Sequence, residues 1–320
     1  MIVRILAFAV PKLPRRFWYF LADVFGAIAS VVHRSGRRVA FSNLEAALGS
    51  QVSVGRRKRL VRESYQYFAR GMADLYWSPR LTMKTFSKIV DFEDLERLKR
   101  ERGTERGYIF AGPHYGGFEW IALALGLCGF NSTIVTQAFK NPLLDETFNR
   151  LRETSGVETI RRDGALLRLY KALLKGRSIG MAVDLTVSAR LPAVPIECFG
   201  LTTCVTMGHA WMHERTGAPI IPINCEPRPG GRYRLTVYPP IEMARGATHQ
   251  EIAQACWDRF EPVIRENPAP WLWMYKYWRY RPAAATRRYP DYANESPHFE
   301  KLLARTAKEN AERRAQPAAR

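Results

Sequence analysis

Apolar and polar positions along the chain fall into three regimes. Phe17 to Val32 is sixteen residues carrying one charge, Asp23, behind Arg15 and Arg16 and ahead of His33, Arg34, Arg37 and Arg38. It is too short for a comfortable membrane span. Its aromatic and basic flanks suit the water–lipid interface, so the pattern predicts a helix that lies in one leaflet or along the interface, with a buried core helix as the alternative. Over residues 56–77, Val61, Tyr65, Phe68, Met72 and Leu75/Tyr76 recur at three- and four-residue steps behind a basic RRKR start, which predicts an amphipathic helix. From residue 108 the period alternates. Strand-like runs stand at Tyr108–Ala111, Ser132–Thr136, Ser178–Val183, Pro219–Asn224 and Arg234–Tyr238. Helix-like stretches stand at Gly117–Leu127, Pro142–Thr154, Ala165–Lys175 and Thr203–Arg215, two of them followed by a terminating Gly176 or Gly217. Gln250–Arg265 reads as a further helix.

This order predicts an α/β fold: a mixed, mainly parallel sheet flanked by helices, with an N-terminal membrane-associated helical segment. The expected divisions are an anchoring or interfacial helix over residues 1–35, a catalytic domain over 36–290 and a polar C-terminal tail over 291–320. The tail from Leu302 onward is expected to be frayed helix or disordered. The aromatic block Trp271 to Tyr280 (WLWMYKYWRY) reads as core packing or an interfacial anchor. Gly230-Gly231 reads as a hairpin turn, since no Lys-Ser/Thr follows to make a phosphate loop.

Composition narrows the class. With 47% apolar residues in 320, the chain has enough apolar surface to fold, and no run of about 20 apolar residues makes it polytopic. Met1 to Val10 does not read as a secretory signal, because Pro11, Pro14 and Arg15-Arg16 follow it. The five cysteines form no C-x-x-C and are odd in number, so buried, reduced thiols are expected. The net charge of +19 is uneven: residues 1–62 hold twelve basic and two acidic residues, and residues 276–320 hold eleven and five. Such a field attracts nucleic acid, anionic lipid or an acidic protein, and composition alone does not choose among them.

The chemistry concentrates at Ala111-Gly-Pro-His114-Tyr-Gly116-Gly117-Phe-Glu119-Trp120, between a strand-like and a helical run. In an α/β sheet, sites form at the carboxyl ends of strands. With His114 in the turn and Glu119 in the first turn of the helix, the carboxylate can reach back to the imidazole, Gly116 and Gly117 allowing the tight path. Glu119 would hold one ring nitrogen as N–H, leaving the other to take a proton from a hydroxyl nucleophile. His209 and His213, four apart, have metal-compatible spacing but no third ligand, so no metal site is expected.

HYGGFE (His114 to Glu119) resembles the H-x4-E/D motif of the lysophospholipid acyltransferase superfamily. The rest of the chain is similar to its bacterial lipid A late acyltransferase branch, the lauroyl and myristoyl transferases. The matching segments, in order, are Arg38-x4-Asn43-Leu44, Asn141-Pro142 through Arg150, Lys171–Gly176 with Gly180–Asp184, Phe199-Gly200, Gly217-Ala218-Pro219, and Trp271-Leu-Trp273 with Arg279–Pro282. The resemblance implies that His114 is the general base, Glu119 its partner and Arg150 the stabiliser of negative charge on the acyl carbonyl, with Arg152 a rival. It implies that Asp184 is structural or positions substrate, with Gly116 and Gly117 at the substrate site.

The expected activity is O-acyl transfer from an acyl thioester, on acyl carrier protein or CoA, to a hydroxyl of a lipid A precursor or related glycolipid. It is expected at the cytoplasmic face of the inner membrane, on an anionic surface, with no cofactor and no nucleic acid. Two rival classes stand beside it: a thioesterase or lipid hydrolase using the same His/Glu site, and a basic nucleic-acid-binding protein.

Overall fold

The computed structural model describes residues 9–315 apart from 106, 138, 140 and 245. Most of the opening apolar stretch Met1 to Val10, residues 1–8, lies outside the described residues, as do the last five residues of the tail. Three helices come first: α1 (Arg15–Val32), α2 (Arg34–Leu48) and α3 (Val54–Trp77). Then follow α4 (Met83–Ile89), β1 (Val90–Asp91), α5 (Glu93–Arg102), β2 (Ile109–Gly112), α6 (Phe118–Leu127), β3 (Ser132–Thr136), α7 (Pro142–Glu153), β4 (Glu158–Arg161), α8 (Ala165–Leu174) and β5 (Ser178–Ala182). A hairpin of β6 (Ala193–Cys198) and β7 (Leu201–Thr206) precedes α9 (Gly208–Thr216), β8 (Ile220–Arg228) and β9 (Arg232–Val237). The chain continues through α10 (His249–Trp257), α11 (Glu261–Glu266) and α12 (Pro297–Ala315).

The large sheet has seven strands in the order β1-β9-β8-β2-β5-β3-β4. Every neighbouring pair is parallel except β8–β9, the hairpin that turns at Gly230-Gly231. The expected mainly parallel α/β sheet is therefore present. The central strand β2 is buried on both faces, as helices on both sides of a parallel sheet require. Ile109 and Ala111 enter a core with α8, α9 and the tryptophan block, while Tyr108 and Phe110 enter a second core with α5 and α6.

Four elements depart from the sequence pattern. Thr203–Arg215, read as one helix, divides: Leu201–Thr206 is rich in β-branched residues and pairs with β6, and the helix starts at Gly208. The turn between β6 and β7 holds Phe199 at φ +54 and Gly200 at φ +71. A left-handed phenylalanine costs about 1–2 kcal/mol, and its ring is held in place by stacking on Trp271 with centroids 5.5 Å apart. β4 is a short edge strand with a largely polar sequence, and so leaves no apolar signature. Gln250–Arg265 is two helices, because Pro262 starts a new one within the first turn of α11. The tail expected to fray forms α12, whose Phe299 and Leu302 are buried with Ala193 and Cys204 of the hairpin.

The aromatic block is core: Trp271, Trp273, Tyr277 and Trp278 are all buried. Asn43 ties it to α2, donating from Nδ2 to the carbonyls of Trp273 (2.8 Å) and Tyr275 (2.7 Å). All five cysteines are buried and unpaired. The basic first segment is fastened to the body by a buried carboxylate. Asp74 of α3, 1% exposed, accepts from Arg15 Nε (2.6 Å), Tyr19 Oη (2.5 Å), Trp120 Nε1 (3.0 Å) and Tyr233 Oη (3.1 Å). Arg15→Met should leave that charge without its counter-ion and destabilise the fold by about 3–5 kcal/mol. Urea unfolding followed by tryptophan fluorescence checks it; a loss under 1 kcal/mol would show that Asp74 does not depend on Arg15.

Candidate active site

Strands β2 and β5 lie side by side and parallel, with Gly112 opposite Ala182 in register. The chain leaves both at their carboxyl ends, and two residues beyond each register partner stand His114 and Asp184. The parallel register thus delivers an imidazole and a carboxylate to one point. His114 Nδ1 lies 2.9 Å from Asp184 Oδ1, and the His114 backbone N–H donates to Asp184 Oδ2 at 2.9 Å. Trp271 Nε1 donates to the same Oδ2 at 3.0 Å. The Asp184 side chain is wholly buried, and that of His114 is 22% exposed.

The electrostatics follow from this geometry. Burial alone would raise the Asp184 pKa, but the charge of His114 and the hydrogen bonds from His114 and Trp271 leave it below the usual carboxylate value. Burial alone would lower the His114 pKa, but the charge and hydrogen bond of Asp184, with Glu119 adding and Arg152 opposing, leave it above the ordinary imidazole value. An ionised Asp184 selects the tautomer with hydrogen on Nδ1, so Nε2 carries the lone pair.

Glu119, expected to partner His114, sits in the first turn of α6 but makes a different bond. Its two oxygens accept from Arg152 Nε (2.8 Å) and Nη2 (2.6 Å), a buried bidentate pair. Burial works against the Arg152 charge, and Glu119 more than compensates, so its pKa is raised. Arg150, expected to face the carbonyl, is exposed on α7, whereas Arg152 lines the cavity beside His114. The two are 200° apart around a helix at 100° per residue, so only one can face inward. Phe148 and Leu151, both buried, define the inward side.

Gly116 and Gly117 do not line the cavity. Gly116 has φ +57, and a Cβ on it would stand 2.2 Å from the Cys225 carbonyl oxygen; one on Gly117 would stand 2.7 Å from Trp120. Their role is to let the turn pass against β8 and α6. His209 is fully buried in α9; burial first, then His249 and His213, push its pKa down to about 4, so it packs as a neutral ring.

His114, Glu119 and Arg152 open onto a cavity of about 340 Å³ between α6 and the sheet. Phe110, Ile121, Leu125, Ile134 and Gly180 make its walls apolar, and Phe68 and Met72 of α3 contribute to the same lining. An imidazole held in one tautomer, a clamped guanidinium and an apolar slot suit proton abstraction beside a long hydrocarbon. Nothing in the motif spacing identified Asp184 as the imidazole partner. The register of two strands, 70 residues apart in sequence at the pair, brings it there.

Comparison with known proteins points the same way. The family model for bacterial lipid A biosynthesis acyltransferases matches residues 1–280. The phosphatidylinositol mannoside acyltransferase of Mycolicibacterium smegmatis is 25% identical over 257 residues, 80% of this chain and 84% of that protein. The lipid A biosynthesis palmitoleoyltransferase of Escherichia coli is 25% identical over 289 residues, 87% of this chain and 90% of that protein, and the lipid A biosynthesis acyltransferase of Shigella flexneri matches to the same extent. The chain belongs to the bacterial lipid A biosynthesis acyltransferase family and is an acyltransferase.

Proposed function

We propose that this acyltransferase moves a fatty acyl group from a thioester, on acyl carrier protein or CoA, to a hydroxyl of a lipid A precursor or related glycolipid at the cytoplasmic face of the inner membrane. The observation that carries this reading is the His114–Asp184 pair opening onto the apolar cavity. The acyl chain enters the slot between α6 and the sheet, and its carbonyl stops near His114. Nε2 of His114 takes the proton of the acceptor hydroxyl as its oxygen attacks the thioester carbon. Asp184 stabilises the imidazolium without taking the proton. Arg152, gripped by Glu119, faces the negative charge on the tetrahedral oxygen, the role first expected of Arg150. Collapse breaks the C–S bond, and the imidazolium returns its proton to the leaving thiolate.

The membrane reading rests on α1. Its small residues Ala22, Gly26 and Ser30 are buried, and α1 packs against α3, where a Cβ on Gly26 would stand 2.6 Å from the Gln66 Cα. From Phe20 onward its large apolar residues face outward, with Phe20 64% exposed, Phe25 69% and Val32 72%. No helix among the described residues is long and apolar enough to cross a membrane. An outward apolar stripe on a helix of this kind lies in the interface plane.

Three outcomes are expected of the His114–Asp184 pair. His114→Ala should abolish transfer. Asp184→Asn should lower turnover by about 10²–10⁴-fold. Because activity requires neutral His114, the rate of the natural protein should rise with pH along a limb set above the ordinary imidazole range, and Asp184→Asn should move that limb to lower pH. Mass spectrometry of the products on a pH series reads all three, and free fatty acid in place of acylated lipid would favour a hydrolase. Arg152→Ala should cut kcat by about 10²-fold or more, while Arg150→Ala should change it less than about threefold; the reverse order would put the oxyanion contact on Arg150. Phe20→Ser/Phe25→Ser/Ile28→Ser, all on the exposed stripe, should weaken sedimentation with phospholipid vesicles and leave thermal stability unchanged. Unaltered vesicle binding would remove α1 from the membrane.

A further inference from the structure

A second cavity, of about 640 Å³, lies where the end of α1 meets α2 and α3, outside the catalytic slot. Five cations line it: Arg34, Arg37 and Arg38 from α2, Lys58 and Arg62 from α3. All five are exposed. Of these, Arg37 alone makes a side-chain hydrogen bond among the described residues, from Nη1 to the Val31 carbonyl at 3.1 Å. The two acids of the lining are already committed, Glu45 to Arg57 (3.2 Å) and Arg288 (3.1 Å), and Asp291 to Arg288 (3.6 Å). The cavity therefore carries a surplus of positive charge, and among the described residues none of its five cations is paired with an acid.

The placement opposes helix electrostatics. α2 carries Arg34 and Arg37 and no acid in its first turn, although a helix N-terminus already bears partial positive charge; the first-turn cations of α3, Arg56 and Arg57, lie outside the cavity lining and are paired with Glu63 and Glu45. The same chain arranges α5 the ordinary way, with Glu93, Asp94 and Glu96 first and Lys99, Arg100 and Arg102 last. An external anion at the start of α2 would reverse the penalty. The apolar surroundings identify its kind. Val31, 62% exposed, lines the cavity and belongs to the outward stripe of α1. Hydrocarbon therefore meets the stripe where negative charge meets the cavity, the arrangement of an acyl tail and its phosphate. An acidic protein would satisfy the charge but leave Phe25, Ile28 and Val32 bare.

We infer that this cavity is a headgroup site for an anionic membrane phospholipid, binding its phosphodiester through Arg34, Arg38, Lys58 and Arg62 while the tails cover the stripe of α1. The inference rests on the interfacial reading of α1 and adds a discrete site to it. α3 runs from Lys58 and Arg62 to Phe68 and Met72 of the catalytic slot, roughly 10–20 Å away at 1.5 Å per residue. A lipid held here would set the slot at a constant depth and orientation against the bilayer.

The experiment compares the full chain, Arg34→Gln/Arg38→Gln/Arg62→Gln, and the charge-matched Arg100→Gln/Lys175→Gln/Lys301→Gln, all six sites being exposed. Each is sedimented with phosphatidylcholine vesicles and with vesicles that also contain phosphatidylglycerol. The cavity variant should lose about 100-fold in affinity for the phosphatidylglycerol vesicles, the scale set by three basic residues at an anionic surface. The matched variant should lose less than about fivefold, and neither should change binding to phosphatidylcholine. Soluble dihexanoyl-phosphatidylglycerol should raise the melting temperature of the natural chain and not of the cavity variant, which also establishes that the variant is folded. Equal losses in the two variants would overturn the site while leaving interfacial attachment in place. No binding to either vesicle would overturn the interfacial reading and the site with it. A cavity variant that keeps vesicle affinity but loses binding to an acidic acyl carrier protein would reassign the cavity to a protein partner.

Discussion

Asp184 is a fully buried carboxylate, and burying a carboxylate is tolerable only when its charge is matched and its oxygens are bonded. Here three N–H groups meet it: the His114 ring, the His114 backbone and the Trp271 indole. Each donor comes from a different layer of construction. The backbone donor depends on the turn after β2, the ring on the register of β2 against β5, and the indole on the tryptophan block near the end of the chain. Release of any one leaves a desolvated charge, so the turn, the sheet and the aromatic core hold each other to a single arrangement. The His114 imidazole is thereby fixed in orientation and tautomer.

A second buried carboxylate, Asp74, links the periphery to that centre. It joins Arg15 and Tyr19 of α1 to Trp120 of α6, one residue beyond Glu119. Glu119 in turn clamps Arg152, so two adjacent residues of α6 tie it to α1 on one side and to α7 on the other. Such networks specify geometry more than they add stability, because their charges must first be taken out of water.

Local rules are broken most openly in the first three helices. α1 turns its large apolar residues to the outside and its small ones inward, and α2 and α3 start with cations against their own dipoles. In α3 the first-turn cations Arg56 and Arg57 are offset by Glu63 and Glu45, whereas Arg34 and Arg37 of α2 have no such partner among the described residues. Phe199, left-handed in the hairpin turn, is a smaller departure of another kind: the aromatic core around it holds a conformation that the residue alone would avoid.

Much of this was legible in the chain itself. Alternating apolar periods located five of the seven strands of the large sheet and most of the helices, and α1 and α3 lie close to their expected bounds. The turn of HYGGFE placed His114 at the end of a strand, because a strand–Gly–Pro–His order leaves little other choice. Sequence pattern could not reach what depends on distant pairing. The β6–β7 hairpin is made by cross-strand partners, and α12 by a dock for Phe299 and Leu302; neither has a strong local period. Spacing along the chain put Glu119 near His114, yet five residues of turn and helix send its carboxylate to α7, and the parallel register brings Asp184 in its place. Arg150 was expected at the site with Arg152 as its rival, and the choice turns on the same limit. A helix rotates 100° per residue, and only the packing of Phe148 and Leu151 against the body decides which side of α7 meets the slot.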